Sequence, residues 1–517
     1  MATKGPVRGA YEIKELVMVD FQQKNQIDLA NHVQSLFMHE SIYQPYLTLD
    51  IIVEDTTALH EQVPFLGEEM IFFTWVDAEG VRDGNRSFRK IFYVTSVTAM
   101  KDHKPTAQTY TIKACSPEYF QSKKVKVYGG WNTTEYSEIA KDVYDKWIAR
   151  PLSKKFKGYE KRLDIERTKG SYNFCCPGWE PIQTLEWLAS KSVSSIKGTT
   201  GALYFFWESM HGLHFKSLET ILQRTNELQE TESQAAMPQI HLVPANIGGG
   251  VGGTTQAYDQ NVPDEHFWPQ MFNSADKLEK GMIANRVVGL DFIHQSVLNY
   301  DYFYDQQGKT NGHAYKTNTL NSSVSFLNPD ADQTTKQGKF PVVSVAAVSG
   351  SGDDRAVNYQ SGEGFSRMHR TSQLEQIQQL QLEAMVPYNA EYETGSLCYV
   401  FIPSRAGTQD SSLNGLTSGK YLITGMEHLL LGGLWKLRVK LVKESLLQNI
   451  DDALNLSQGD TENVDKYTGK PVAGGVSTQQ PKRVSAQNAS LDPLDEETYK
   501  QTSFHENVPP EVGPSSS

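Results

Sequence analysis

Two stretches of this chain, far apart in sequence, carry the same order of β-forming runs and turn residues. That repetition constrains the fold more than any motif does. The first begins at Tyr46-Leu-Thr-Leu-Asp50-Ile-Ile-Val-Glu54-Asp55, passes a Pro64-Phe65-Leu66-Gly67 turn and runs on through Met70-Ile-Phe-Phe-Thr-Trp75. Runs of β-branched and aromatic residues bounded by Pro and Gly read as strands and their turns. Two more strands are expected over 90–98 and 108–114. The second stretch, Leu380 to Leu441, repeats the order: a strand over 381–386, a turn at Gly395, and strands over 397–402, 421–426 and 435–442. Tyr93-Val-Thr95 falls in line with Leu422-Ile-Thr424. In the last strand Trp435, Leu437, Val439 and Leu441 alternate with Lys436, Arg438 and Lys440, the period of a strand with one buried face. The match is one of order rather than identity. A duplicated β unit therefore stands beside a plainer reading, two unrelated antiparallel barrels with generic alternation.

The segments around the two units differ in kind. Residues 11–20 read as a first strand, followed by a short helical or irregular piece from Leu29 to Phe37. Asn132-Thr-Thr-Glu135 has the spacing of a helix capping box. After it Tyr136, Ile139, Ala140, Val143, Tyr144 and Trp147 form one apolar stripe, which Pro151 is expected to end. The stripe's aromatics are read as core rather than as a ligand box. A second helix is expected after Pro181, then a hairpin of 203–207 and 213–217 turning at Met210-His211-Gly212. Residues 226–272 are polar, then Gly-rich around Gly248 to Gly253, and read as a connecting loop. Strands are expected over 282–292 and 340–348, an edge over 300–304, and a short helical turn at Leu374, Ile377 and Leu380. After 446 the chain is polar and almost free of aromatics, so it cannot bury enough apolar surface to fold alone.

The fold class expected is thus mainly β with an α+β insert: two tube-type antiparallel β-barrel domains, a mixed α/β domain between them and a disordered C-terminal tail. The expected division is 1–118 for the first barrel, 119–225 for the insert, 226–272 for the Gly-rich loop, 273–445 for the second barrel with an insertion at 305–370, and 446–517 for the tail. A length of 517 residues agrees with several domains at about 150 residues each. The formal net charge of −12 lacks the basic footprint of a phosphate-backbone binder. Cys115, Cys175, Cys176 and Cys398 are too few for a disulfide framework and are expected to be reduced thiols. The first residues hold no apolar run that reads as a signal peptide, and no stretch approaches a membrane span, so the protein is expected to be soluble when made.

Candidate chemistry is sparse. Glu68-Glu69, the group Glu227, Glu230 and Glu232, and Asp451-Asp452 pair carboxylates only by proximity in sequence, and neighbours on a strand face opposite sides. They read as surface or turn acids rather than a glycosidase pair. His211 and His214 flank a turn without a helical His-Glu-x-x-His spacing. Gly248 to Gly253 lacks the strand and helix that a phosphate loop needs, and Ser349 to Asp354 reads as a turn. No catalytic, cofactor-binding or metal-binding residue is expected, and no cofactor.

Glu54-Asp55-Thr56 with Pro64-Phe65-Leu66-Gly67-Glu68-Glu69, the 181–189 helix with Tyr204-Phe205-Phe206 and Gly212 to Leu218, and Tyr421 to Val442 follow an order that resembles the central baseplate hub protein of contractile-tailed bacteriophages. It is similar also to the hub part of type VI secretion spikes. The resemblance covers roughly residues 11–445. It implies a non-enzymatic structural virion protein of the tail baseplate, made in the host bacterial cytoplasm. It also implies a homotrimer whose six β units adapt a six-fold tail tube to a three-fold spike around a channel for DNA. The implied partners are other copies of the chain, the tube protein, a spike or needle protein and neighbouring baseplate proteins, with DNA only in passage and no stable membrane insertion. A tail-associated cell-wall hydrolase and a receptor-binding module are the alternatives.

Overall fold

The computed structural model describes residues 11–20, 24–57, 59, 65–77, 87–104, 107–156, 159–196, 201–222, 237–242, 263–292, 294–304, 340, 342–347, 363–402, 414, 416–431 and 434–446. All belong to one compact unit, Met1–Gln458; a second, Gly459–Ser517, lies outside the described residues. Glu227, Glu230, Glu232, Gly248 to Gly253, Ser349 to Asp354, Asp451 and Asp452 also lie outside them. So do most of the 305–370 insertion and all of the tail past Leu446.

The first β unit comprises β1 (Tyr11–Val19), β2 (Gln26–Asp28), β3 (Val33–Ser41), β4 (Thr48–Asp55), β5 (Met70–Asp77), β6 (Ser87–Lys104) and β7 (Ala107–Cys115). Strand β3 replaces the helical or irregular piece expected from Leu29 to Phe37. Its Leu36 and Met38 are fully buried, and pairing on both edges overrides a weak local signal.

The insert starts with α1 (Pro117–Lys124), β8 (Val127–Thr134) and α2 (Tyr136–Val143). A π-helical stretch (Tyr144–Ala149) then leads into α3 (Arg150–Lys155). The expected capping box does not form: Asn132 lies in β8, and Glu135 is the N-cap without a side-chain cap bond. Pro151 does not end the helix either. It sits in the first turn of α3, after the Arg150 amide has bonded five residues back to Asp145. That shift starts a new first turn, where an imino nitrogen costs no hydrogen bond. The insert continues with β9 (Leu163–Ile165), β10 (Tyr172–Trp179), α4 (Pro181–Lys191) and the hairpin β11 (Tyr204–Ser209) and β12 (Gly212–Ser217). The expected stripe is its core: Tyr136, Ile139, Ala140, Val143 and Tyr144 pack with Leu185, Leu188 and Phe215.

Two strands, β13 (Gln239–His241) and β14 (Glu265–Gln270), interrupt the stretch expected to be loop. The chain then forms α5 (Ser274–Glu279), β15 (Ala284–Asp291), β16 (Ser296–Phe303), β17 (Val342–Ala347) and α6 (Glu363–Ile377). Strands β16, β15 and β17 make a small separate sheet. Helix α6 extends the short turn expected near Leu374, and Leu380 belongs to the next strand. The second unit follows as β18 (Leu380–Pro387), β19 (Leu397–Phe401), β20 (Gly419–Leu431) and β21 (Leu434–Lys443). Among the described residues no helix is long and apolar enough to cross a membrane.

The two units share one sheet, ordered β14-β18-β21-β20-β3-β4-β7-β6-β5-β1-β2, with β19 and β13 branching from β20. The fold is mainly β and antiparallel as expected, but the units are not separate sheets, and the hydrogen-bonded order is open. Strand β20 serves two partners on one edge: residues 419–422 pair with β19, and 425–431 pair with β3. The sheet also curls. Trp75 on β5 meets Trp435 on β21 at 5.4 Å, although β20, β3, β4, β7 and β6 lie between their strands. One apolar core therefore draws on both units, from Leu16 and Trp75 to Trp435 and Leu441. Each large side chain fully buried there contributes about 1.5–3 kcal/mol.

The repetition is topological. Strands β4, β7, β6 and β5 are neighbours in that order, all antiparallel; β18, β21, β20 and β19 repeat it. It extends to detail. Gly67 before β5 and Gly395 before β19 adopt φ of 82° and 86°, a region open to glycine without strain. Tyr93 and Val94 face Cys115 and Ala114, as Leu422 and Ile423 face Val442 and Leu441. Both ladders then slip by one residue, at Thr95 and at Thr424, and resume at Ser96 with Lys113 and Gly425 with Lys440. The Thr95 hydroxyl donates to the Lys113 carbonyl at 2.9 Å, and Thr424 to that of Lys440 at 3.2 Å. A bulge with its hydroxyl bonded across the ladder thus occurs once in each unit at matching positions.

Candidate functional site

The residues that tie the molecule together lie on one short segment, 207–210 at the tip of the β11–β12 hairpin. Successive strand side chains point to opposite sides, so alternate residues here reach different units. Trp207 donates from Nε1 to the Thr394 carbonyl at 3.1 Å, and Ser209 from Oγ to Glu393 Oε1 at 2.9 Å, both in the second unit. Glu208 points the other way. Its Oε2 accepts from Ser116 Oγ at 2.6 Å and from the Leu47 amide at 3.2 Å, both flanking the first unit. The Met210 amide donates to Glu40 Oε2 at 2.8 Å, and Glu40 Oε1 lies 3.3 Å from Nε2 of His428. Glu40 is on β3 and His428 on β20, the two strands that form the seam between the units. The hairpin is therefore wedged at the seam, with a bond to each unit and one to the seam itself.

A buried charge anchors the wedge. Lys161 Nζ sits 2.6 Å from Glu208 Oε1 and 2.7 Å from Glu118 Oε2, and Tyr159 donates to Glu118 Oε1 at 2.8 Å. Burial alone would push the Glu208 carboxyl up; Lys161 first, then Lys90, outweighs it and holds it below the usual carboxylate range. Burial would lower Lys161, yet Glu118 and Glu208 raise it well above an ordinary lysine. The group is charged and fully satisfied, a condition that a buried ion pair needs. Glu393 follows the same logic: burial raises it, and the bonds to His214 and Ser209, with His211 nearby, bring it below the ordinary value.

Ser209, His214 and Glu393 form a trio whose geometry is not that of a hydrolase. Ser209 Oγ and Glu393 Oε1 both approach Nε2 of His214, at 2.9 and 3.3 Å. A nucleophilic triad places the acid on the other ring nitrogen. Here Nδ1 of His214 is buried without a hydrogen-bond partner among the described residues. Ser209 is fully buried. The trio positions the hairpin instead.

Of the carboxylates weighed from sequence, Glu68 is exposed, and Glu69 is buried and shapes its own turn, accepting from the amides of Leu66 at 2.6 Å and Gly67 at 2.9 Å. Asp55 likewise accepts from the Thr57 amide at 2.9 Å. Among the described residues Glu69 and Asp55 are held by backbone amides of their own turns. His211 is exposed at the turn, and His214 joins the trio. Cys115, Cys176 and Cys398 are buried free thiols, and Cys175 is exposed. Among the described residues no group of three or more His, Cys, Asp or Glu could hold a metal ion. A cleft of about 770 Å³ in the insert is lined by Lys141, Arg150, Lys161, Arg162 and Arg167 and by Glu138, Asp145, Glu160 and Asp164, so charges of both signs face it. Glu40, Glu208 and Glu393 were missed from sequence. A lone Glu ending the apolar run Tyr204-Phe-Phe-Trp207 was the one available signal.

No family model matches the chain, and no curated protein does. Solved structures do resemble it. A tail protein from Neisseria meningitidis is 9% identical, with 84% of this chain and 97% of that one covered and a TM-score of 0.48. The 43 kDa tail protein of prophage MuSo2 from Shewanella oneidensis is 10% identical, with 83% and 98% covered and a TM-score of 0.46. A chain of the Francisella PdpA–VgrG complex is 10% identical, with 85% and 59% covered and a TM-score of 0.40. At such scores the likeness carries no inference about role. The chain is similar in its course to phage tail proteins and to a VgrG complex.

Proposed function

We propose that this chain is a structural protein of a phage-type tail, a hub at the baseplate or tail tip rather than an enzyme. The observation that carries this reading is the duplicated β ladder with a bulge at the matching positions Thr95 and Thr424, two similar units joined edge to edge in one chain. Closed homo-oligomers obey point-group symmetry. Three chains with two equivalent units each present six similar walls while every other part keeps three-fold symmetry. Such a ring adapts a six-fold tube to a three-fold spike and leaves a central passage for DNA. In this reading the wedged hairpin holds the angle between the two units. The partners are other copies of the chain, the tube protein above, the spike protein below and adjoining baseplate proteins, and the protein resides in the virion. Native mass measurement on the full chain tests the proposal: a particle of three chains is expected. A single chain at every concentration, alone and with tube and spike proteins, overturns it.

A further inference from the structure

A groove of about 640 Å³ lies where the turn between β3 and β4 meets helices α1 and α4. That volume suits a small ligand. Tyr43 and Tyr46 line it from the turn, and Tyr119 from α1. Their rings are braced. Tyr43 meets Phe205 edge-on at 5.7 Å, and its hydroxyl is hydrogen-bonded to Gln378. Tyr46 and Tyr119 are half-buried and lie against each other at 4.2 Å. Tyr43 nevertheless keeps 49% of its surface exposed. Pro45 and Ile182, which also border the groove, are buried. The apolar surface that a ligand meets here is therefore aromatic.

Planar polar groups stand around the rings. Gln183 and Glu186 are three residues apart on α4 and share one face of the helix. Both are exposed, and Gln44 approaches from the turn. Among the described residues the side chains of Gln44, Gln183 and Glu186 make no hydrogen bond. The Glu186 carboxyl lies in the groove, where burial raises it above an ordinary glutamate and Lys123 opposes. Lys123 is already engaged: its ammonium is 2.8 Å from Glu180 and 5.2 Å from the Tyr119 ring centre. With Lys123 set against both Glu180 and Glu186, the lining does not favour an anion.

A sugar ring matches this combination. Its C–H faces pack on tyrosine rings, and its neighbouring hydroxyls give and take hydrogen bonds with amides and carboxylates. A hydroxyl also satisfies a partly withdrawn carboxylate without bringing a charge into the groove. A proline-rich peptide stacks on tyrosines too, but it has no N–H to offer Glu186. We propose that the groove binds a neutral oligosaccharide, with the three tyrosines as its stacking surface and Gln44, Gln183 and Glu186 as partners of its hydroxyls. Binding here does not depend on the hub role.

The test is calorimetric titration of the full chain with cellohexaose, maltohexaose and chitohexaose, and with hexaproline as the rival probe. At least one sugar is expected to bind with Kd of about 1 mM or tighter, and hexaproline more weakly. Gln183→Ala combined with Glu186→Ala alters only exposed side chains and is expected to weaken sugar binding at least tenfold, about 1.4 kcal/mol. Tyr43→Leu, checked for folding by thermal unfolding, is expected to abolish it; if that variant fails to fold, the exposed pair decides. Glu68→Gln, an exposed acid outside the groove, is expected to change nothing. Three inert sugars overturn the proposal, as does tighter binding of hexaproline. Sugar binding that survives the Gln183 and Glu186 changes overturns this site. A three-chain particle that ignores every sugar removes the groove's role and leaves the hub reading standing; a single chain that binds sugar through these residues does the reverse.

Discussion

The two β units share a ladder and differ in what covers it. In the first, Thr98 to Asp102 on β6 are exposed; in the second, the matching stretch of β20 is half-buried at Glu427, buried from His428 to Leu430 where β3 lies along it, and exposed only at its end, Leu431. The turn glycines differ likewise. Gly67 has open space around it, whereas a side chain at Gly395 would meet the Trp207 ring of the wedge. At matching places, just past β7 and at the end of β21, Ser116 solves its burial by bonding Glu208, and Lys443 by donating to the carbonyls of Leu416 and Ser418. Equal backbones with unequal surroundings separate what the ladder needs from what the neighbours impose. Positions alike in both units belong to the β unit; positions that differ mark contacts.

The comparison is broken most strongly at the wedge. Glu208→Ala strips Lys161 and Ser116 of a partner and is expected to cost about 3–5 kcal/mol in denaturant unfolding, since a buried charge loses its mate. Glu393→Ala, on the side facing the second unit and part exposed, is expected to cost about 1 kcal/mol. Equal losses would mean that the hairpin grips both units alike.

The glycine twins come next. Gly67→Ala carries only the penalty of positive φ, about 1–2 kcal/mol. Gly395→Ala adds overpacking against Trp207 and is expected to cost about 3 kcal/mol. Thermal unfolding of the two variants side by side decides whether the wedge, rather than the turn, sets the difference.

Lys443 is expected to give a pH dependence that Ser116 lacks. Burial brings it down to about 7, with Glu444 opposing. Below that pH the lysine is charged in both folded and unfolded chains, and the cost of burying the charge is present in full. Between about 7 and the ordinary lysine value near 10.4 the folded chain has shed the proton and the unfolded chain keeps it, so stability rises with pH. Lys443→Met is expected to flatten that rise in unfolding measured from pH 7 to 10.

The smallest effect is expected at the bulges. Thr424 is buried and Thr95 exposed. Thr424→Val leaves the Lys440 carbonyl short of a donor at about 1–2 kcal/mol, while water replaces the lost bond in Thr95→Val for about 0.5 kcal/mol or less. A reversed order would show that the bulge itself, rather than its burial, needs the hydroxyl.

The β runs, the turn glycines, the amphipathic helix at 136–147 and the duplicated order were legible from sequence because each rests on local periodicity and backbone preference. The match of Tyr93-Val-Thr95 with Leu422-Ile-Thr424 set the two threonines at equivalent positions; that each sits at a bulge follows from the ladders alone. Strand β3 was not legible: its identity comes from β4 on one edge and β20 on the other, residues that lie next to it only after folding. The same holds for Glu40, Glu208 and Glu393. A glutamate in a strand reads as a surface acid until its partners arrive from distant segments, here residues 47, 116, 161, 210 and 214. Sequence by itself determined two like β units and an α/β insert, since alternation and turns act over a few residues. Only the tertiary structure decided that the units share one sheet and one core and that a hairpin is wedged at their seam. Those outcomes depend on long-range pairing and burial, which no local pattern encodes.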